Sequence, residues 1–472
     1  MIIDTIVRTL GSLAKMAKND ELSFWWADLK PTYLAACSTE LPEKTDIAII
    51  GAGYTGLWTA YYLLQVDPNL SITIIEAETP GFGASGRNGG WCAGETSGMH
   101  DQIADPASRE SALRLQRQMF DTVDEIARVC ARENIDCHYD KGGSLHVAPT
   151  PFHAKKMLDE LQHQYRHGVS DADTYWMDEA TSRDRVNTRE NHGAIYTPHC
   201  AAIHPLRLVQ GLVEVLIAKK VRIVCNTPAT SIQPGCISTA RGQIKCHTAL
   251  RATEAYTDTL AEDRLSILPV YSLMVATEPL STSQWNQIGL HQRETFGMAQ
   301  RAVTYGQRTR DNRMAFGARG GYLFGSRLKR HFTRDDPALD QVVKTLYDIF
   351  PALSKRKIEH AWGGMLGVPR SWTPYVRFDP ATQIGSAGGY VGEGVAASNL
   401  AARTLADLAL QRATPLTALP WVDAKSRRWE PEPLRWLGYT LAKHAGNWAD
   451  RSERINGKTS GLAGRIYDAL SG

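Results

Sequence analysis

The residues most able to do chemistry open a short segment near the start of the chain. Gly51-Ala52-Gly53-Tyr54-Thr55-Gly56 matches G-x-G-x-x-G, and Glu76 stands twenty residues beyond its last glycine. The apolar run 46–50 before the glycines reads as a buried strand. A helix is expected from 56 to about 66, then a turn at Asp67-Pro68-Asn69 and a second buried strand over 71–76. This strand–turn–helix context separates the motif from a bare glycine turn. Gly51 permits the tight turn, Gly53 lets the backbone approach a pyrophosphate, and Gly56 allows helix and strand to pack closely. The free N–H groups at the helix start suit phosphate, and Glu76 suits a ribose diol.

Two further glycine clusters follow. Gly81-Phe82-Gly83-Ala84-Ser85-Gly86-Arg87-Asn88-Gly89-Gly90-Trp91 repeats the spacing after Thr79-Pro80 and no strand, so it is not a second dinucleotide fingerprint. It reads either as a loop laid against a ligand or as a flexible surface loop. Arg87 could neutralise a phosphate there. The third cluster joins Trp362-Gly363-Gly364 to Gly388-Gly389-Tyr390-Val391-Gly392-Glu393-Gly394 ahead of a helix over 396–410. Such a helix start can stabilise negative charge. The segment 301–330 holds seven arginines among Tyr305, Phe316, Tyr322 and Phe324. Most read as solvated sheet-edge charges. Arg319 and Arg327, with Tyr322, are the candidates for a fork on a substrate carboxylate. No H-E-x-x-H, no Cys/His cluster and no G-x-S-x-G occurs, so metal and Ser-hydrolase readings lack support. His204 beside Pro205 reads as a packing or capping residue, and Cys92 as a small buried hydrophobe.

These residues need a scaffold, and the composition supplies one. The chain has 472 residues, 43% hydrophobic and 22% charged, with a net charge of +3. That is about three average domains or two large ones. The balance lacks the dense basic patch that nucleic acid requires. No run of 18 apolar residues is present. Eight cysteines occur without a C-x-x-C pair, and Asp4 and Arg8 break the apolar N-terminus, so free thiols in a reducing cytoplasm are expected. Residues 1–20 carry a helical apolar face (Ile3, Ile6, Leu10, Leu13, Ala17), and 108–133 and 206–218 also read as helices. Residues 137–148, 221–224 and 313–324 read as strands. The last 52 residues hold nine Lys/Arg, six Asp/Glu and Trp429, Trp436 and Trp448. For both termini, packing on the protein itself is favoured over peripheral membrane contact. At the C-terminus that means a solvated face with the tryptophans packed on the other side.

Collinear pieces of the chain carry a resemblance. They are 48–63 (AIIGAGYTGLWTAYYL), 81–91 (GFGASGRNGGW), 252–257 (ATEAYT), 269–281 (PVYSLMVATEPLS), 360–376 (HAWGGMLGVPRSWTPYV) and 388–408 (GGYVGEGVAASNLAARTLADL). Together they resemble the FAD-dependent oxidoreductases of the D-amino-acid-oxidase superfamily, in particular its γ-glutamylputrescine-oxidase-like group. One departure is Glu254, where such proteins usually carry asparagine. The resemblance implies an α/β fold: a Rossmann-like FAD domain built from discontinuous segments, plus an α+β substrate domain with an antiparallel sheet. The expected layout is an N-terminal extension (1–43), the FAD domain (44–136, 196–265, 356–412), the substrate domain (137–195, 266–355) and a helical appendage (413–472). It also implies that Gly51, Gly53, Gly56 and Glu76 serve the pyrophosphate and ribose. Ser85, Arg87, Asn88 and Gly89 would line the ribityl chain and flavin, and Gly389, Tyr390, Gly392 and Val395 the isoalloxazine. No cysteine follows Cys246 and no histidine lies in 81–91, so non-covalent FAD is expected.

The implied activity is oxidation of the C–N bond of a small amine or amino acid to an imine, which water hydrolyses, with oxygen or a quinone as electron acceptor. No dedicated catalytic base is evident. Two alternatives stay open. One is a flavin dehydrogenase for a D-amino acid or 2-hydroxy acid; the other is a flavin-fold assembly or scaffold protein without turnover.

Overall fold

The computed structural model describes residues 22–38 and 40–471, so the helix expected over 1–20 lies outside the described residues. The β-α-β unit forms as its apolar runs require. The strand Lys44–Ile50 is buried from Ile47 onward, and the strand Ile72–Ile75 is buried throughout. They run parallel, with Ile50 opposite Ile75. The helix Tyr54–Val66 between them is apolar nearly all round because it is enclosed nearly all round. It packs against the helices Gly394–Ala409 and Pro205–Ala218.

Two eight-stranded sheets organise the chain. In the first, the path runs Tyr375–Asp379, Ile384–Gly388, Gly242–Arg251, Lys44–Ile50, Ile72–Ile75 and Arg222–Val224. The strands Ala229–Gln233 and Cys236–Thr239 extend it as an antiparallel flap. The second runs Ile358–Pro369, Ile267–Thr277, Met314–Gly321, Thr304–Arg308, Thr295–Met298, Ser144–Val147, Ala194–Thr197 and Tyr175–Met177. Its pairs are antiparallel except Thr295–Met298 with Ser144–Val147. A small ribbon of Trp91–Ala93 and Cys200–Ala202 completes the strands among the described residues.

The chain crosses between the sheets several times. The strand Ile358–Pro369 pairs with Ile267–Thr277 along its whole length, from Thr277 opposite Ile358 to Ile267 opposite Pro369. It therefore belongs to the second sheet, although the expected segment 356–412 places it with the first. The strand expected over 137–148 contracts to Ser144–Val147, since Gly143 turns the chain at φ +81°. That expected over 313–324 contracts to Met314–Gly321.

The C-terminal appendage forms two helices, Leu434–Asn456 and Gly461–Ser471. Here one expectation needs correcting. Trp429 is buried and donates its Nε1–H to Val368 O at 2.8 Å, but Trp436 and Trp448 face solvent. The inward side of the helix Leu434–Asn456 is filled instead by Ala445, Gly446, Ala449 and Glu453.

Candidate active site

A cavity of about 740 Å³ lies between the two sheets. One part of its wall is the glycine turn after the strand Lys44–Ile50. Gly51 holds φ +105°, and a Cβ there would lie 2.5 Å from Ala252 O. A Cβ on Gly56 would lie 2.0 Å from Gly51 O, so this glycine serves strand–helix packing and stands behind the wall. Gly51 and Gly53 themselves line the cavity, as does Glu76 at the carboxyl end of the neighbouring strand. The Glu76 carboxylate accepts the N–H of Ala52 at 2.7 Å and of Glu78 at 2.9 Å. Burial raises its pKa to about 6 against the pull of those N–H groups.

The loop 81–91 forms the adjoining wall, and distant elements pin it. Ser23 Oγ donates to Gly86 O at 2.8 Å, and Trp25 Nε1 to Asn88 O at 2.9 Å. Trp362 Nε1 donates to Arg87 O at 2.8 Å, and Gln307 Nε2 to Gly89 O at 2.6 Å. Within the loop, Ser85 Oγ accepts the N–H of Tyr54 at the helix start, at 2.9 Å. Asn88 is spent on Ala84 O, Ser85 O and the N–H of Gly90. Arg87 is buried, stacks on Phe82 and donates to Phe82 O and Arg330 O. Its Nη2 remains buried without a partner, as does Trp91 Nε1; both residues line the cavity.

The third wall combines the second sheet with the start of the helix Gly394–Ala409. Ser272, Tyr305, Arg319, His146 and Met298 face the cavity from the sheet. Tyr305 and Ser272 share a short hydrogen bond, and burial raises the Tyr305 hydroxyl to about 12. Tyr390, Gly392, Glu393 and Val395 face it from the helix start. Gly389 lies behind the wall at φ +75° and gives its N–H to Glu254. Of the proposed carboxylate contacts, Arg319 alone reaches the cavity. Tyr322 is turned toward Glu432, and Arg327 is exposed to solvent. Outside the cavity, His204 caps the helix Pro205–Ala218 by accepting the Arg207 N–H at 3.2 Å, and Cys92 is fully buried.

Two acids here were not singled out as site residues. Glu393 lines the cavity, and burial with the nearby Glu95 lifts it to about 7 while Arg319 pulls it down. Its place inside a glycine run ahead of a helix was the available signal. Glu254 gathers the N–H groups of Gly389 (2.8 Å), Gly367 (3.2 Å) and Tyr390 (3.3 Å). Burial raises it to about 7 in spite of these donors. One carboxylate thus ties the helix-start loop to the second sheet. An asparagine oxygen could do part of this, but not with two equivalent acceptors. Among the described residues no group of His, Cys, Asp and Glu is arranged to hold a metal ion.

The walls suit a dinucleotide. A glycine turn whose Cβ positions are closed off by Ala252 O and Ser85 Oγ, a helix start, an acid at the next strand end and two residues with an orphaned buried donor all line one cavity. Fold and site together define a mixed α/β protein whose cavity suits a dinucleotide. The chain belongs to the family of FAD-dependent oxidoreductases, whose pattern matches residues 46–408. It is 29% identical to gamma-glutamylputrescine oxidoreductase of Escherichia coli (strain K12) over 369 residues, covering 77% of this chain and 83% of that one. It is 28% identical to a probable oxidoreductase, OrdL, of Rhizobium meliloti (strain 1021) over 390 residues, covering 80% and 86%. Among solved structures, glycine oxidase from Geobacillus kaustophilus shares the fold with a TM-score of 0.66 at 18% identity, covering 81% and 99%. L-proline dehydrogenase from P. horikoshii does so at 0.64 and 19%, covering 80% and 96%. The protein is therefore an FAD-dependent oxidoreductase enzyme, which removes the reading without turnover.

Proposed function

We propose that this enzyme oxidises the C–N bond of a small amine or amino acid, using FAD held without a covalent link. The observation that carries the reading is the joint placement of Arg319 and Glu393 on the wall of the glycine-lined cavity. The names of the relatives point to the same substrate class. FAD, when bound, supplies a hydride acceptor at N5, and the resulting imine is hydrolysed by water. Gly51, Gly53 and the N–H groups at the start of the helix Tyr54–Val66 would hold the diphosphate, and Glu76 the ribose. Ser85, Arg87, Asn88 and Gly89 would hold the ribityl and flavin portion, with Tyr390, Gly392 and Val395.

The chain's own groups then bind and orient the amine. Arg319 offers a planar fork to an acid group on the substrate. Glu393, poised near pH 7, accepts a hydrogen bond or a proton from the substrate ammonium. Buried walls favour the neutral amine, the form able to release hydride. No cysteine is among the residues lining the cavity, which supports a non-covalent cofactor. A cytoplasmic location fits eight free thiols. Among the described residues no helix is long and apolar enough to cross a membrane. Oxygen or a quinone then takes the electrons.

The test is an anaerobic titration of the purified enzyme, followed by its visible absorbance. A panel of primary amines, secondary amines, amino acids and 2-hydroxy acids is added in turn. Bleaching of the oxidised flavin band by an amine or amino acid is expected. Bleaching by 2-hydroxy acids alone would replace this reading with the dehydrogenase alternative.

A further inference from the structure

We propose that the outward side of the helix Leu434–Asn456 docks on an anionic lipid surface. Leu434, Leu441, Trp448 and Ile455 recur every seven residues, and Leu437 joins them, so all five share one stripe. Their exposures are 60, 53, 62, 69 and 50%. Leu462, at the start of the following helix, is 70% exposed. Scattered surface leucines need no explanation, but an aligned stripe that includes a tryptophan marks an interaction face.

The charges on these two helices are sorted in the same sense. Glu453 is buried, and its carboxylate meets Arg301 Nη1 at 2.8 Å. Asp450 accepts the N–H of Ala302 at 2.8 Å. Both acids are thus turned inward. Arg451 remains exposed at the edge of the stripe, as do Lys458 in the turn that follows and Arg465 on the next helix. Lys443 and Arg454 are turned to the protein body instead, Lys443 donating to Gly320 O at 3.0 Å and Arg454 pairing with Glu190 at 2.8 Å. Asp468 is the one exposed acid on these helices among the described residues. An apolar stripe bordered by cations, with the acids withdrawn, complements hydrocarbon beneath anionic headgroups. A second copy of the same face would bring cation against cation.

The experiment is vesicle flotation of the full-length, FAD-loaded enzyme at low and high salt. Vesicles rich in phosphatidylglycerol are compared with pure phosphatidylcholine. The enzyme is expected to float with the anionic vesicles and to be released by salt. The triple variant Leu441→Ser/Trp448→Ser/Ile455→Ser should lower partitioning by about tenfold or more. Arg451→Gln/Lys458→Gln should weaken anionic binding by about tenfold and leave phosphatidylcholine binding unchanged. All substituted side chains are exposed, so the flavin spectrum of each variant serves as the folding control. Absence of flotation at low salt overturns the proposal. So does full flotation of the triple variant, which would assign binding to another segment. A concentration-dependent dimer that the triple variant abolishes, without vesicle binding, would make the face a self-association surface instead.

Discussion

Arg319 and Glu393 bring opposite charges to one wall, and each makes a separable prediction. Removing the fork by Arg319→Ala should raise KM for an acid-bearing amine about tenfold to a hundredfold, the range of a lost charge-assisted hydrogen bond. For an amine of similar size without the acid group, KM should barely move. Steady-state kinetics on the two substrates decides it; equal effects on both would remove the fork. Glu393 tests the other charge. Its carboxyl ionises near pH 7, so the form able to hold an ammonium grows as pH rises through that value. The kcat/KM profile should therefore carry a rising limb near 7 that Glu393→Gln abolishes, while the limb belonging to the substrate amine stays. Glu254, at a similar value, is already committed to three backbone N–H groups, which suits it to holding the helix-start loop in place.

At the scale of elements, the site depends on pieces that the chain keeps far apart. The loop 81–91 takes its shape from Ser23, Trp25, Gln307 and Trp362. Trp362→Phe removes one buried donor and leaves Arg87 O unpaired, at a cost of about 1–3 kcal/mol. Flavin affinity should fall, measured as the flavin-to-protein ratio after gel filtration. Gly56→Ala should be harsher, because its Cβ would meet Gly51 O and one backbone must move. The C-terminal helix is held by another buried contact, that of Arg301 with Glu453 and Asp450. Arg301→Ala leaves the buried Glu453 carboxylate without its cation and with Ser460 as its remaining donor, a loss on the order of 3 kcal/mol. Protease cleavage within 434–456 should then become fast while the flavin stays bound. Burial alone would raise Glu453, but hydrogen bonds from Arg301 and Ser460 bring it down to about 2. With its folded value below the unfolded one, this carboxylate stabilises the docked helix above about pH 4.5. That stabilisation fades as pH falls toward 2. Hydrogen exchange of the helix across that window checks the sign.

At the scale of the whole molecule, two sheets close on a shared cavity, and the cofactor is expected to be part of what holds them together. FAD that binds the folded state and not the unfolded one raises the unfolding temperature with its concentration. Acid precipitation should leave the flavin in the supernatant; flavin retained in the denatured pellet would refute non-covalent binding.

The β-α-β unit, its glycines and the acid at 76 were legible from sequence because each rests on local rules. Apolar runs bury strands, and a glycine is required wherever a Cβ would strike backbone, as in the turn at Gly51 and in the helix at Gly56. The helices expected over 108–133, 206–218 and 396–410 were legible from periodicity for the same reason, whereas Pro151–Arg166 and Pro337–Ile349 were not singled out. Three things needed the tertiary structure. The strand Ile358–Pro369 joined the second sheet through pairing with a segment some ninety residues earlier, a choice no local pattern encodes. Among Arg319, Tyr322 and Arg327, the turn of the chain after Gly321 placed one in the cavity and two outside it. Trp448 faced outward although tryptophan usually packs, because the inward side of its helix was already taken by small residues and the Arg301 ion pairs. Sequence determined which local shapes this chain can adopt. Only long-range packing decided which side chains share the cavity and which meet the surroundings, since burial and charge pairing act between residues distant along the chain.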